Sequence, residues 1–248
     1  MGRHHLLNGG RHFFITEPFP VLLGVPHVDV TQPCAPSDGE VGDQSLRARA
    51  RILDTARERF LDSGYGATTV PAIARDAGVS AETVYKAFAN KAGLLKAVCD
   101  VALVGDDEPV PMNQRPAIRA VLAEPDPRQK IKIWSKYFVG FAARAVPVLL
   151  LVRGAAANDP AAAAVWDQML AERRRGMSEF AHHLFEGAHL RADITEGEAG
   201  DVLWALSSPE MWELLVLKSA WAPDRYGHWM AKVAEGSLLR PSSGRARR

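Results

Sequence analysis

Apolar residues recur three and four positions apart along most of this chain, without the sustained apolar–polar alternation that marks a half-buried strand. Ile52, Leu53, Ala56, Phe60 and Leu61 make the first stripe, which predicts an amphipathic helix over Arg47–Ser63 closed by Gly64. Ile73, Ala74 and Ala77 make a second, short stripe. Val84 and Phe88, four apart, make a third, and Leu94, Leu95 and Val98 make a fourth in a helix that begins at Asn90. After a proline-rich break, the pattern predicts further helices near Arg128–Ala145, Pro147–Ala157, Pro160–Glu186, Glu196–Ser207, Pro209–Ala220 and Asp224–Leu239. Pro147, Pro160 and Pro209 fall at first-turn positions, where proline is well tolerated. The expected fold class is all-α.

The short second and third stripes carry the most specific local chemistry. Thr69 is placed to cap the second helix, and Pro71 lies in its first turn, where a missing N–H matters little. Gly78 takes the left-handed conformation that ends a helix without a side-chain penalty. Ser80 caps the next helix, and Glu82 suits the positive end of its dipole. With Val84 and Phe88 facing inward, Ala81, Thr83, Tyr85 and Lys86 face out or flank that face. Two short helices joined by a tight turn over about residues 69–88, the second presenting small and polar side chains, are the layout of a helix-turn-helix that enters the DNA major groove. Arg47, Arg49, Arg51, Arg57 and Arg59 load the preceding helix with positive charge. Lys91 falls in the first turn of the following helix, beside N–H groups that favour phosphate.

From about Leu46 to Val104 the sequence resembles the tetracycline-repressor (TetR) family of bacterial transcription factors. The resemblance is carried by Arg51-Ile52-Leu53, Ala56, Phe60, Gly64-Tyr65, Thr68-Thr69-Val70, Ile73-Ala74, Ala77-Gly78-Val79-Ser80, Thr83-Val84-Tyr85, Phe88, Lys91 and Leu94-Leu95. It implies an N-terminal helix-turn-helix DNA-binding domain over residues 46–106 and a C-terminal helical ligand-binding and dimerisation domain over residues 117–240. It also implies a homodimer on double-stranded operator DNA, with the third helix of each subunit in a major groove. Ser80, Ala81, Thr83, Tyr85 and Lys86 then lie at or near the bases and adjacent backbone, while Thr69 and Lys91 hold phosphates. Phosphate contacts set position and base-edge contacts set sequence. Glu82 has two readings, as an acceptor from a cytosine amino group or as a helix-dipole residue facing solvent. An acid near phosphates favours the second.

Composition narrows the rest. The 248 residues suffice for two domains, and the net charge of +1 does not by itself advertise a nucleic-acid partner. The charge is uneven, however, with arginines in the first helix and acids at Asp106-Asp107-Glu108 and from Glu196 to Asp201, and a local basic face suffices for DNA. The two cysteines, Cys34 and Cys99, form no disulfide framework or metal spacing, which points to a reducing cytoplasm. Residues 1–43, with Pro18, Pro20, Pro26, Pro33 and Pro36, read as a disordered extension, and translation from Val41 is an alternative start. Their apolar pieces are too short to span a membrane, no clear secretory signal is present, and His4, His5, His12 and His27 lack ligand partners at useful spacing.

The C-terminal half offers weaker signals. A linker around Gly105–Pro116 separates the halves. Beyond it, Ile131, Trp134, Phe138 and Phe141 share a face beside Tyr137, and Trp166, Met169, Leu170, Met177, Phe180 and Leu184 share another. Most of these residues are expected in a helical core. Trp134, Tyr137, Phe138, Arg153, Trp166 and Met169 are the candidates for lining a pocket that takes a small apolar or aromatic effector. Arg153 interrupts an apolar run, so it ends that helix at the surface, faces an anion, or pairs with Asp159 or Glu172. Val202, Leu203, Leu206, Met211, Leu214 and Leu215 make two apolar strips expected at a dimer interface, with burial in the protomer as the plainer reading. Residues 241–248 read as a disordered basic tail. No cofactor or metal is expected, and an enzyme is not. The minor alternative of a metal-dependent enzyme rests on the His182–Glu186 spacing, which is far more often a surface contact. A DNA-binding dimer whose C-terminal half senses nothing is the other alternative.

Overall fold

The computed structural model describes residues 38–241, which are helical apart from turns and a single isolated bridge. The first helix, α1, spans Asp38–Ala67 and breaks at Gly64, whose φ of 80° is left-handed. It begins ahead of Arg47 and takes in residues 38–43, assigned above to the extension, because no proline interrupts the chain between Pro36 and Pro71. The rest of that extension, with its histidines and Cys34, lies outside the described residues, as do residues 242–248 of the tail.

The helices α2 (Val70–Asp76), α3 (Ala81–Phe88) and α4 (Lys91–Val104) complete a head with α1. Its core holds Ile52, Phe60, Ile73, Val84, Phe88, Leu94 and Leu95. The linker is more ordered than its prolines suggest. A single 3₁₀ turn over Met112–Gln114 leads into α5 (Pro116–Ala123), which starts on a first-turn proline and buries Val121.

The expected break at Pro147 does not occur. One helix, α6, runs from Pro127 to Ala156 with Pro147 inside it. Proline there removes one backbone hydrogen bond, but buried Ala145, Val146, Val148, Leu149 and Val152 hold the chain helical on both sides. Asp159 caps α7 (Pro160–Glu186), and a Thr195–Glu198 capping box opens α8 (Glu196–Leu206). The helix expected over Pro209–Ala220 is α-helical only over α9 (Pro209–Trp212). It widens to a π-helix over Glu213–Lys218 and ends at Ala220, whose φ is 54°. The last helix, α10 (Pro223–Leu238), returns across α6, and an isolated bridge joins Leu190 to Leu239.

Two apolar cores result. The bundle core gathers Trp134, Phe138, Phe180, Leu203, Trp212, Tyr226 and Met230. The head core does not stop at α4. It continues through Ala145, Val148 and Val152 of α6 into Val165 and Met169 of α7. The helix α6 is long and apolar enough to cross a membrane, yet it is packed here by α1, α4, α7 and α10.

Candidate functional site

The helix-turn-helix is built by side-chain caps and one left-handed glycine. The Thr69 hydroxyl accepts from the Ala72 N–H at 3.3 Å, opening α2. Gly78 turns the chain at φ 68°, and the Val79 N–H closes the turn on the Ala74 carbonyl at 2.9 Å. Ser80 Oγ then accepts from the Thr83 N–H at 3.1 Å and lies 2.8 Å from the Thr83 hydroxyl. Val84 and Phe88 are buried, so α3 has one rotational setting.

That setting exposes Glu82, Thr83, Tyr85 and Lys86, with Tyr85 47% exposed, while Ala81 is half-buried against the head core. Thr69 is exposed at the start of α2. At the start of α4, Lys91 Nζ lies 4.0 Å from the Tyr65 ring centroid, and burial lowers its pKa from the usual lysine value. Of the side chains expected near bases and phosphates, those of Thr69, Ser80, Thr83, Tyr85 and Lys86 are thus exposed, and those of Ala81 and Lys91 are half-buried.

Three arginines of α1 do something other than present a free basic face. Arg59 pairs with Asp76, and this hydrogen bond holds the Asp76 carboxyl below its ordinary range. Arg49 pairs with Asp107 and lies 4.4 Å from the Phe88 ring centroid. Arg51 reaches the Ala77 carbonyl at 3.4 Å. These side chains tie α1 to α2, α3 and the linker.

A cavity of about 980 Å³ opens between the head and the bundle. Trp134, Tyr137, Phe138, Trp166 and Met169 line it, and the segment Asp106–Asn113 borders it. The Tyr137 hydroxyl donates to Met112 Sδ at 3.3 Å, and burial raises its pKa. Arg115 anchors the same segment through two hydrogen bonds to Asp106, at 2.7 and 2.9 Å. Arg153, the sixth expected lining residue, is elsewhere. It donates to Glu210 at 3.2 Å and Glu213 at 2.8 Å, because the turn of α6 that carries it faces α9 and not the cavity. Neither Asp159 nor Glu172 is its partner.

Sequence reasoning missed Arg173, which also lines the cavity. The signal was present: position 173 continues the stripe of Trp166, Met169, Leu170, Met177 and Phe180, so a cation stands where the period calls for an apolar residue.

Of the expected dimer strips, Leu203 and Leu206 are turned into the bundle core, since the inward face of α8 packs on α7 and α10. Val202, Met211 and Leu215 are half-buried, and Leu214 is 51% exposed on the π-helix beside Leu217 at 53%. His182 lies between Glu186, at 3.3 Å, and Glu196, at 3.1 Å, and all three side chains are substantially exposed.

Residues 52–98 match the family described as bacterial regulatory proteins, tetR family. An uncharacterized HTH-type transcriptional regulator of Bacillus subtilis, YvkB, is 46% identical over 48 residues, which are 19% of this chain and a quarter (25%) of that relative. Among solved structures, NalD, the secondary repressor of the MexAB-OprM multidrug efflux pump in Pseudomonas aeruginosa, is similar with a TM-score of 0.62 and 20% identity, covering 80% of this chain and 99% of that one. The SmeT–triclosan complex is similar with a TM-score of 0.61 and 17% identity, covering 79% of this chain and 93% of that one. These likenesses extend the shared fold well beyond the segment matched in sequence. Residues 52–98 thus carry the sequence signature of the tetR family of bacterial regulatory proteins, and the solved structures share the fold of the longer chain.

Proposed function

We propose that this protein is a sequence-specific DNA-binding regulator of transcription that works as a homodimer in the cytoplasm, as a repressor released from its operator by a small molecule. The observation that carries the DNA reading is the fixed outer face of α3. Buried Val84 and Phe88 set its rotation, and Thr83, Tyr85 and Lys86 stand exposed on it. In this reading Tyr85, Lys86 and the Ser80–Thr83 end contact bases and adjacent backbone, Ala81 lies against them, and Thr69 and Lys91 hold phosphates.

The release reading rests on the cavity and on what surrounds it. An aromatic cavity of about 980 Å³ is of ligand size. It borders α4 and α7, which also contribute to the head core. Arg144 of α6 donates from Nε to the Ala102 carbonyl at 2.7 Å, binding the end of α4 to the bundle. A ligand that prefers one arrangement of these helices shifts the spacing of the two heads by its difference in affinity. The same cavity favours sensing over the alternative of a C-terminal half that only dimerises. Repression is stated in the name of NalD, and a small-molecule complex in that of SmeT. For the dimer, Val202, Met211, Leu214 and Leu215 supply apolar surface that remains at least partly exposed in one protomer. A two-fold protein matches a palindromic operator.

The test is a gel shift at fixed salt on duplex DNA from upstream of the protein's own gene, against excess nonspecific competitor. The parent gives a sharp, competitor-resistant shift. Tyr85→Ala and Lys91→Ala weaken it about tenfold or more while the helical circular dichroism and dimer mass stay unchanged. Variants that bind like the parent would remove α3 and the start of α4 from the interface.

A further inference from the structure

The cavity contains a cation whose charge is not matched nearby. Arg173 stands on the apolar stripe of α7. Its Nη1 donates to the Trp204 carbonyl and lies 3.4 Å from Ser207 Oγ, and its guanidinium carbon is 4.8 Å from the Trp204 ring centroid. Among the described residues no carboxylate lies within ion-pair distance of it. Glu210 acts on it only from farther away and accepts its hydrogen bond from Arg153. Burial pushes the Arg173 pKa down to about 10, so the group stays charged at neutral pH in surroundings that penalise the charge.

The other ionic groups at the cavity are matched or exposed. Arg49 pairs with Asp107 and Arg115 with Asp106, while Asp100 and Glu172 share Lys96. Arg175 and Glu179 are exposed. Arg173 is half-buried, a charge withdrawn from water is normally paired, and a guanidinium offers a planar fork that fits the two oxygens of a carboxylate. Since Nη1 is engaged by Trp204 and Ser207, the fork of Nε and Nη2 is the one left for an anion. The other cation at the cavity without an ion pair among the described residues, Arg175, is exposed, and a dianion would also meet the acids of Glu172 and Glu179.

We propose that the cavity takes an amphipathic monocarboxylate, with the carboxylate on Arg173 and an aromatic or branched apolar body against Trp134, Phe138 and Met169. This proposal rests on the reading of the cavity as a ligand site.

The test is isothermal titration calorimetry of the full chain with three probes that share one ring system and differ in head group: 2-naphthoate, 2-naphthamide and 2-naphthylmethylammonium. The naphthoate binds about tenfold tighter than the amide, and the ammonium binds weakest. Arg173→Gln lowers naphthoate affinity to that of the amide and leaves the amide unchanged, whereas Arg173→Lys keeps most of the preference. If the amide equals the naphthoate, or the ammonium binds tightest, the monocarboxylate proposal is overturned and the cavity stands as a ligand site of other chemistry. If none of the probes binds at millimolar concentration, the ligand-site reading falls and the proposal with it. The head-group series on the unaltered protein decides the matter even where a variant fails to fold.

Discussion

Among the glycines of the head, Gly93 makes the tightest approach to a neighbouring backbone. A β-carbon added there would lie 2.2 Å from the Phe88 carbonyl oxygen, a backbone atom at the end of α3 that cannot swing aside. Gly93→Ala therefore displaces α3 relative to α4 and destabilises the head by about 1–3 kcal/mol. Urea unfolding followed by circular dichroism measures this, and an unchanged midpoint would show that the approach is looser than described. Neighbouring residues were more legible in sequence. Thr69, Gly78 and Ser80 act locally, through a cap or a left-handed φ, so their roles follow from residue type and spacing alone. Arginine is harder to place. Arg153 and Arg173 both interrupt apolar patterns, yet one meets Glu210 and Glu213 and the other the Trp204 carbonyl, partners 31 to 60 residues away in sequence. Cys99 is settled by burial, which raises its thiol to about 12 and makes it a core residue without thiolate chemistry at neutral pH.

Helix ends set by strong local caps are legible in the sequence, and those that depend on tertiary packing are not. The sequence places α7 at Pro160–Glu186, where an aspartate cap and a first-turn proline coincide. It breaks α6 at Pro147 because a proline in a helix interior loses a hydrogen bond, and it lacks the information that α1, α4, α7 and α10 press on that helix. The π-helix after α9 is equally invisible to a 3.6-residue period. Its wide turns close where the Ser219 N–H meets the Leu214 carbonyl at 3.0 Å, and the Ser219 hydroxyl meets it at 2.8 Å. Arg153 ties this region to α6 through a pair of partly exposed ion pairs. Exposed pairs contribute about 0–1 kcal/mol each, so Arg153→Gln lowers stability by no more than about 2 kcal/mol by thermal or urea unfolding. It leaves the affinity for 2-naphthoate unchanged, because Arg153 is not among the cavity-lining residues. A larger drop in that affinity would place α9 in the ligand site.

At the scale of the molecule, the division into two functional halves does not correspond to two isolated cores. The apolar core that steadies α3 continues through α4 into α6 and α7, the helices that carry the cavity's aromatic wall. The linker is drawn into the same arrangement, with Asp107 on Arg49 of α1 and Asp106 on Arg115. The cavity is thus joined to α3 by continuous packing. The route is illegible in sequence because it consists of contacts between residues far apart in the chain. In the function proposed above, this route ends on a sequence-reading surface presented twice by a symmetric dimer. Selection of bound duplexes from random-sequence DNA by the 248-residue chain at physiological salt tests this. An enriched inverted repeat, with half-sites placed to meet successive major grooves on one side of the duplex, is the predicted result. Binding that enriches no sequence and fades uniformly as salt rises would contradict the claim, leaving a head that holds phosphates without reading bases.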